Sequence, residues 1–127
     1  MADQYMYKGV FSMKVLYHPD REEIQLSSIL YALSDPVRLS VVAEIRKKGE
    51  QPCNCFDVPV AKSTLSHHAR TLREAGVVFT RIQGTQRFLS LREEDLEYRF
   101  PGLLDSVLKA YESSNGRIGI ELSEADR

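Results

Sequence analysis

The chain has 127 residues, enough for one domain with a single hydrophobic core, yet small enough that dimerisation would help to bury apolar surface. Its composition, 43% hydrophobic and 28% charged with a formal net charge of −1, is that of an ordinary globular protein and excludes a wholly disordered chain. No apolar run reaches the length of a membrane span, no signal-peptide pattern opens the sequence and two cysteines are expected to stay reduced, so we predict a cytoplasmic protein without a structural disulfide.

The sequence pattern divides the chain into three parts. Residues 1–19 form a predicted N-terminal extension whose aromatic and aliphatic content favours docking on a partner subunit or on the domain. Residues 20–112 form the predicted domain, and residues 113–127 are a polar C-terminal tail.

Two helices are predicted at the start of the domain. The first is apolar on more than one side, as expected of a helix that packs both inward and across a dimer interface. Ser34 or Asp35 caps the second helix, which runs from Pro36 to Lys48. Arg38 in this helix has two open interpretations, a phosphate contact or an ion pair with an acidic neighbour.

The next segment, residues 49–59, contains two prolines and two cysteines. Pro52 and Pro59 leave space for only a short or irregular turn. Three interpretations of Cys53 and Cys55 stay open: a thiolate site for a thiophilic metal or metalloid ion, a redox switch, or small buried side chains without chemistry. A closed ion site would need further ligands, from His18, from the other subunit or from solvent.

A further helix, with one apolar and one polar face, is predicted in the first half of the stretch from Pro59 to Leu91. Leu65, Ala69, Leu72 and Ala75 recur at three- and four-residue spacing and form its apolar stripe, and Gly76 ends the helix. The opposite face is polar and comprises the short hydrogen-bonding or cationic side chains of Ser63, Thr64, Ser66, His67 and Arg70. His67 on this face is interpreted as a phosphate or base contact rather than a metal ligand, and His68 as a packed histidine whose ring bonds a backbone group.

A hairpin follows the helix. Residues 77–82 and 87–91 are β-prone runs separated by a short polar stretch with Gly84, and they carry Arg81 and Arg87. A helix followed by a basic hairpin is typical of a winged helix-turn-helix. The last helix starts near Pro101, and its apolar stripe is one that a small subunit would struggle to bury alone, so we assign it with the first helix to a dimer interface.

Positive charge is concentrated in this helix and hairpin. From Lys62 to Arg92 the net charge is +5, whereas the rest of the chain carries −6. Such a segment can bind a polyanion although the whole protein is nearly neutral, because counterion release depends on local phosphate contacts. The alternative is a winged-helix module that dimerises or binds protein without reading DNA. An enzyme is not predicted, since no nucleophile elbow, oxyanion turn or acid accompanies the two adjacent histidines.

Three stretches carry a resemblance to a known family. They are Ala32–Leu39 (ALSDPVRL), Ser63–His68 (STLSHH) and Leu72–Val78 (LREAGVV). In their order and separation they resemble the signature stretches of the ArsR/SmtB family of bacterial transcriptional regulators, over about residues 24–111.

The resemblance implies a mainly α-helical winged helix-turn-helix fold that forms a homodimer through its first and last helices. It further implies a repressor that binds a double-stranded operator with dyad symmetry and releases it when an inducer, often a metal or metalloid ion, is sensed. Ser63, Thr64, Ser66 and His67 would then contact base edges or nearby phosphates. Backbone phosphates would be contacted by Lys62, Arg70 and Arg73 on the helix. Arg81 and Arg87 on the wing would reach the adjacent minor groove or its phosphates.

The family also suggests a role for the cysteines. Some members bind arsenite or a soft divalent ion through a Cys-x-Cys pair and a third Cys. Here Cys55 matches the third position, whereas Cys53 is out of register with the other two. Sensing through Cys53 and Cys55, by redox chemistry or by a thiophilic ion, is therefore the expectation, with no other cofactor predicted.

Overall fold

The computed structural model describes residues 16–115, so most of the predicted N-terminal extension and of the C-terminal tail lies outside the described residues. Five α-helices and a small antiparallel sheet build the domain. In chain order they are α1 (Leu26–Ala32), α2 (Pro36–Lys48), β1 (Gln51–Pro52), α3 (Lys62–Ala75), β2 (Val78–Gln83), β3 (Gln86–Leu91), α4 (Glu93–Arg99) and α5 (Leu103–Ala110). Single 3-10 turns occur at Arg21–Glu23 and Cys53–Cys55, and a π-helical turn at Tyr111–Asn115 extends α5.

The corner between α1 and α2 forms as predicted. Asp35 caps α2, its carboxylate accepting a hydrogen bond from the Arg38 N–H at 3.0 Å, and Pro36 occupies the first helical position, where an N–H would have no helical partner. The helices meet at a bend of 100°. Of the helices described, none is by itself long and apolar enough to cross a membrane; only α1 and α2 taken together, across this bend, have the required length and composition.

The segment after α2 contains no α-helix, which confirms the prediction that its prolines leave space for only a short or irregular turn. It forms the two-residue strand β1 and the 3-10 turn Cys53–Cys55. Strand β1 pairs with β3, Gln51 opposite Leu89 and Pro52 opposite Phe88. The sheet therefore has three strands in the order β1-β3-β2, where the sequence predicted a two-stranded wing. Pro52 is tolerated because β1 is an edge strand.

Helix α3 ends at Gly76, as predicted, and Gly76 adopts a left-handed conformation and donates its N–H to the Leu72 and Arg73 carbonyls. The chain then reverses into β2 and β3, which pair in antiparallel register from Val78 opposite Leu91 to Gln83 opposite Gln86. The hairpin turn is thus only Gly84 and Thr85.

One hydrophobic core holds these elements together. It receives side chains from every α-helix, from β2 and β3 and from the segment that precedes α1. Its members with less than 2% exposure and the largest volumes are Ile24, Ile29, Leu72, Leu89, Val41, Val42, Val77 and Val78. On α5, Leu104 and Leu108 are buried within the chain, while Leu103 and Val107 are half-buried.

Residues 16–19 pack against the domain. His18 is 4% exposed and stacks on the Phe79 ring at 4.4 Å, and its Nε2 accepts a hydrogen bond from the Thr80 N–H at 2.9 Å. Arg92 donates to the Pro19 carbonyl at 2.8 Å. This segment therefore covers the edge of β2 that β3 leaves free.

His18 makes stability depend on pH. Burial, reinforced by the nearby Arg73 and Arg92, lowers the pKa of His18 to about 4, from about 6.5 for an exposed histidine. Between these values the unfolded chain binds a proton that the folded chain does not, so the free energy of unfolding should fall as the pH falls from 6.5 to 4. His18 should account for a loss of about 3 kcal/mol over that range.

Urea denaturation at several pH values tests this. His18→Gln, whose amide oxygen can accept from the Thr80 N–H without titrating, is the matched control, and the wild-type curve should fall more steeply than the variant's. Parallel curves would refute the assignment.

Candidate nucleic-acid interface

Helix α3 presents one continuous polar surface. Its apolar stripe is turned inward, with Leu65 and Leu72 buried and Ala69 partly covered. The predicted contact residues Lys62, Ser63, Thr64, Ser66, His67 and Arg70 are all exposed on the other side. The 3.6-residue period of the sequence is the cause, since it puts short hydroxyls, an imidazole and two cations on the same side of one helix.

Arg73 corrects the sequence prediction. It was assigned to a phosphate, but the residue is only 8% exposed and its Nη1 donates to the Tyr17 carbonyl at 2.7 Å. Arg73 is buried because residues 16–19 cross α3 at this point, so its role is to hold that segment. Arg70, one turn earlier, stays exposed and forms a surface ion pair with Glu74 at 3.1 Å, the kind of pair that contributes little and that a phosphate can replace.

The two arginines of the wing differ in their surroundings. Arg81 donates from Nε and Nη2 to the Glu50 carboxylate, both at 2.9 Å, and its guanidinium lies 4.4 Å from the centre of the Phe88 ring. Arg87 is exposed, and among residues 16–115 no carboxylate forms an ion pair with it or with Lys62. Lys62 and Arg87 are therefore the cations whose charge this surface leaves uncompensated.

An open groove of about 270 Å³ lies between the start of α3, the tip of the wing and the cysteine turn. Its lining combines two cations, four neutral polar side chains, one thiol and one leucine, namely Cys53, Asn54, Lys62, Leu65, Ser66, Thr85, Gln86 and Arg87. Asn54, Thr85 and Gln86 were not predicted from the sequence to belong to this surface. The position of the last two at the predicted hairpin turn was the available signal, but only the fold brings that turn to the start of α3.

The two cysteines are free thiols at opposite ends of one 3-10 turn. Residues two apart in such a turn project in different directions; Cys53 is half-buried in the groove and Cys55 is exposed. Burial raises the pKa of the Cys53 thiol, an effect that nearby Arg87 partly opposes. A disulfide between them would require this turn to open.

The described residues do not form a metal site within one chain. No group of three or more His, Cys, Asp or Glu side chains in the range 16–115 is arranged to hold an ion. The suggestion that His18 supplies a third ligand is wrong, because both ring nitrogens are engaged, Nδ1 with the Leu16 carbonyl at 3.0 Å and Nε2 with the Thr80 N–H. Two thiols alone do not complete a thiophilic site.

Comparison with known proteins identifies relatives of the chain among transcriptional regulators. No protein-family profile matches it. The chain is 34% identical over 85 residues to YceK, an uncharacterized HTH-type transcriptional regulator of Bacillus subtilis (strain 168), covering 64% of this chain and 84% of the relative. It is 36% identical over 76 residues to the arsenical resistance operon repressor of Staphylococcus xylosus, covering 58% of this chain and 72% of the relative.

A solved structure agrees in fold. The crystal structure of an ArsR family transcriptional regulator superposes with a TM-score of 0.55 at 23% identity, over 69% of this chain and 97% of that one. This likeness confirms the predicted winged helix-turn-helix fold. The two relatives confirm the prediction of a transcriptional regulator rather than an enzyme. The chain belongs to the ArsR/SmtB family of winged helix-turn-helix transcriptional regulators.

Proposed function

We propose that the protein is a homodimeric repressor that binds an operator with dyad symmetry, one α3 helix of each subunit entering the major groove. The observation that carries this proposal is the exposed face of α3, where hydroxyls, His67 and two cations lie together beside the wing. A helix of this width fits the major groove, and a two-fold dimer presents two such helices to half-sites about one helical turn apart.

The residues of this face have different roles in the proposal. Ser63, Thr64, Ser66 and His67 are short enough to reach base edges or the phosphates beside them. Lys62, Arg70 and Arg87 contact backbone phosphates. Arg81 is held by Glu50, so its contribution is mainly to the shape of the wing.

Exposed apolar side chains on α1 support dimerisation. Leu26 is 46% exposed, Leu30 48% and Tyr31 65%. Leu26 and Leu30 are four residues apart and so share one side of this short helix, and Tyr31 directly follows Leu30. A monomer gains nothing from leaving them in water, whereas a second copy would bury them. The half-buried Leu103 and Val107 of α5 would add to the same interface.

Release of the operator is assigned to a thiol-directed inducer acting at Cys53 and Cys55. One of the relatives is named for arsenical resistance, and Cys53 lines the groove next to Lys62 and Arg87. An adduct on this thiol would add bulk where a phosphate has to approach. Peroxide would act differently, taking two electrons and two protons from the thiols to leave a disulfide and two water molecules, and the disulfide would open the 3-10 turn.

The double variant Cys53→Ser/Cys55→Ser tests the sensing role. Serine keeps the size and removes the thiolate, so operator affinity should stay within about threefold of wild type, while release by arsenite, cadmium or peroxide should be lost. The measurement is a gel shift with and without each inducer. Unchanged release in the variant would remove both cysteines from the mechanism.

The operator proposal itself is tested on the DNA upstream of the protein's own reading frame. A gel shift at 50 mM and 200 mM salt should show binding that weakens steeply with salt. Failure to shift any of that DNA at low salt would instead support a winged-helix module that binds only protein.

A further inference from the structure

The guanidinium of Arg38 joins α1, α2 and α3. Arg38 belongs to α2 and is only 6% exposed. Its Nε donates to the Ala32 carbonyl at 2.7 Å and its Nη2 to the Tyr31 carbonyl at 3.2 Å, both at the end of α1. Its Nη1 lies 3.0 Å from Nδ1 of His68 in α3. From the sequence, Arg38 was predicted to contact a phosphate or an acid and His68 to bond a backbone group, and both predictions are corrected.

The contact fixes the protonation state of His68. A guanidinium carries only donors, so His68 Nδ1 must be the acceptor and the ring proton must sit on Nε2. Nε2 faces the Asp35 carboxylate at 3.8 Å. Because Asp35 also caps α2 through the Arg38 N–H, the corner between α1 and α2 supplies both partners of the ring.

We propose that His68 is a positioning residue, which sets the rotation of α3 about its own axis by accepting the hydrogen bond from Arg38. The inference rests on the proposed function, because Ser66 and His67 directly precede His68 and any rotation of the helix moves their side chains against the DNA. Tyr31 extends the connection: its carbonyl accepts from Arg38, its ring lies 5.2 Å from the guanidinium carbon and it belongs to the proposed dimer surface. The rotation of α3 in each subunit is thus linked through Arg38 to α1, the helix that carries the proposed dimer surface.

Protonation of His68 would break this connection. It replaces the acceptor lone pair with an N–H and puts a second positive charge beside Arg38. The other charged or titratable groups that act on the ring are Asp35 from the corner and His67 from α3, and Tyr31 of α1 contacts the Arg38 guanidinium. Burial is the main cause that lowers the pKa of His68, Arg38 and His67 lower it further, and Asp35 opposes them. The contact should therefore persist at neutral pH and be lost only in acid.

Two substitutions separate positioning from packing. Asparagine keeps a short acceptor for Arg38 but does not titrate, whereas leucine fills the space without an acceptor. The DNA is the upstream fragment that the wild-type protein shifts in the gel. At pH 7.5, His68→Leu should weaken binding to this fragment about tenfold or more, and His68→Asn by about threefold at most. The difference between the variants corresponds to one charge-assisted hydrogen bond. As the pH falls below 6.5, the ordinary pKa of histidine of about 6.5, the wild type should progressively lose affinity relative to His68→Asn, and His67, present in both, cancels from the ratio.

Hydrogen–deuterium exchange of the α3 amides provides a readout that needs no DNA. Exchange in α3 should be faster in His68→Leu than in wild type and close to wild type in His68→Asn. If the wild type binds no DNA, the operator proposal fails, and this exchange pattern alone decides the positioning role. Wild-type affinity or unchanged α3 exchange in His68→Leu, or equal pH profiles for wild type and His68→Asn, would overturn it.

Discussion

Replacing Lys62 and Arg87 together with alanine is expected to weaken operator binding on the order of 1,000-fold at 0.15 M salt. These two cations have no carboxylate partner within residues 16–115, so their full positive charge is available to attract a phosphate. Each phosphate contact that releases counterions contributes about 1 kcal/mol at this salt concentration, and a dimer would lose four contacts. The plot of log affinity against log salt should also become shallower by about four.

The matched control removes the same charge elsewhere. In Lys48→Ala/Lys109→Ala, each lysine is already paired with a carboxylate, Lys48 with Glu44 at the end of α2 and Lys109 with Asp105 on α5. We expect a loss of less than about tenfold, because neither group has an uncompensated charge facing the groove. Fluorescence anisotropy on the upstream fragment measures both variants. Equal losses in the two would mean that only net charge matters and that the surface beside α3 has no special role.

The second large effect is expected at Gly76, where Gly76→Ala should lower the free energy of unfolding by about 2–4 kcal/mol. Gly76 has φ of +96°, a conformation that costs an alanine about 1–2 kcal/mol. An added Cβ would lie 2.8 and 2.9 Å from the Cγ1 and Cδ1 atoms of Ile24. Ile24 is 1% exposed in the core and has little freedom to move, so overpacking adds to the backbone cost.

Gly102→Ala separates the two costs. Gly102 also has a positive φ, +80°, but nothing lies within 4 Å of the Cβ that alanine would add. The free energy of unfolding of Gly102→Ala should fall only by the backbone contribution, about 1–2 kcal/mol. Urea denaturation at one protein concentration gives both values, since a dimer's stability depends on concentration. Equal losses in the two variants would show that Ile24 yields to the methyl group.

Much of the local structure is predictable because it follows from near neighbours in sequence. Asp35 and Pro36 mark the start of α2, Gly76 marks the end of α3, and the prolines after α2 exclude a helix there. The same holds for the polar face of α3, which the 3.6-residue period defines without knowledge of the fold.

The missed features all depend on contacts between distant parts of the chain. Arg70 and Arg73 look equivalent in sequence, and only the crossing of residues 16–19 buries the second of them. Arg81 meets Glu50 across 31 positions, and Arg38 meets His68 across 30. Strand β1 is two residues long, too short to leave a periodic pattern. Charge counts therefore locate the basic segment, whereas only the fold tells which of its cations are free.

Hydroxyl-radical footprinting of the wild-type protein on its shifted upstream fragment tests the central proposal most directly. Paired α3 helices should protect two backbone patches about one helical turn, roughly 10 base pairs, apart on one side of the duplex. A single patch, or two patches on opposite sides, would contradict a dimer that holds DNA through the exposed faces of both helices.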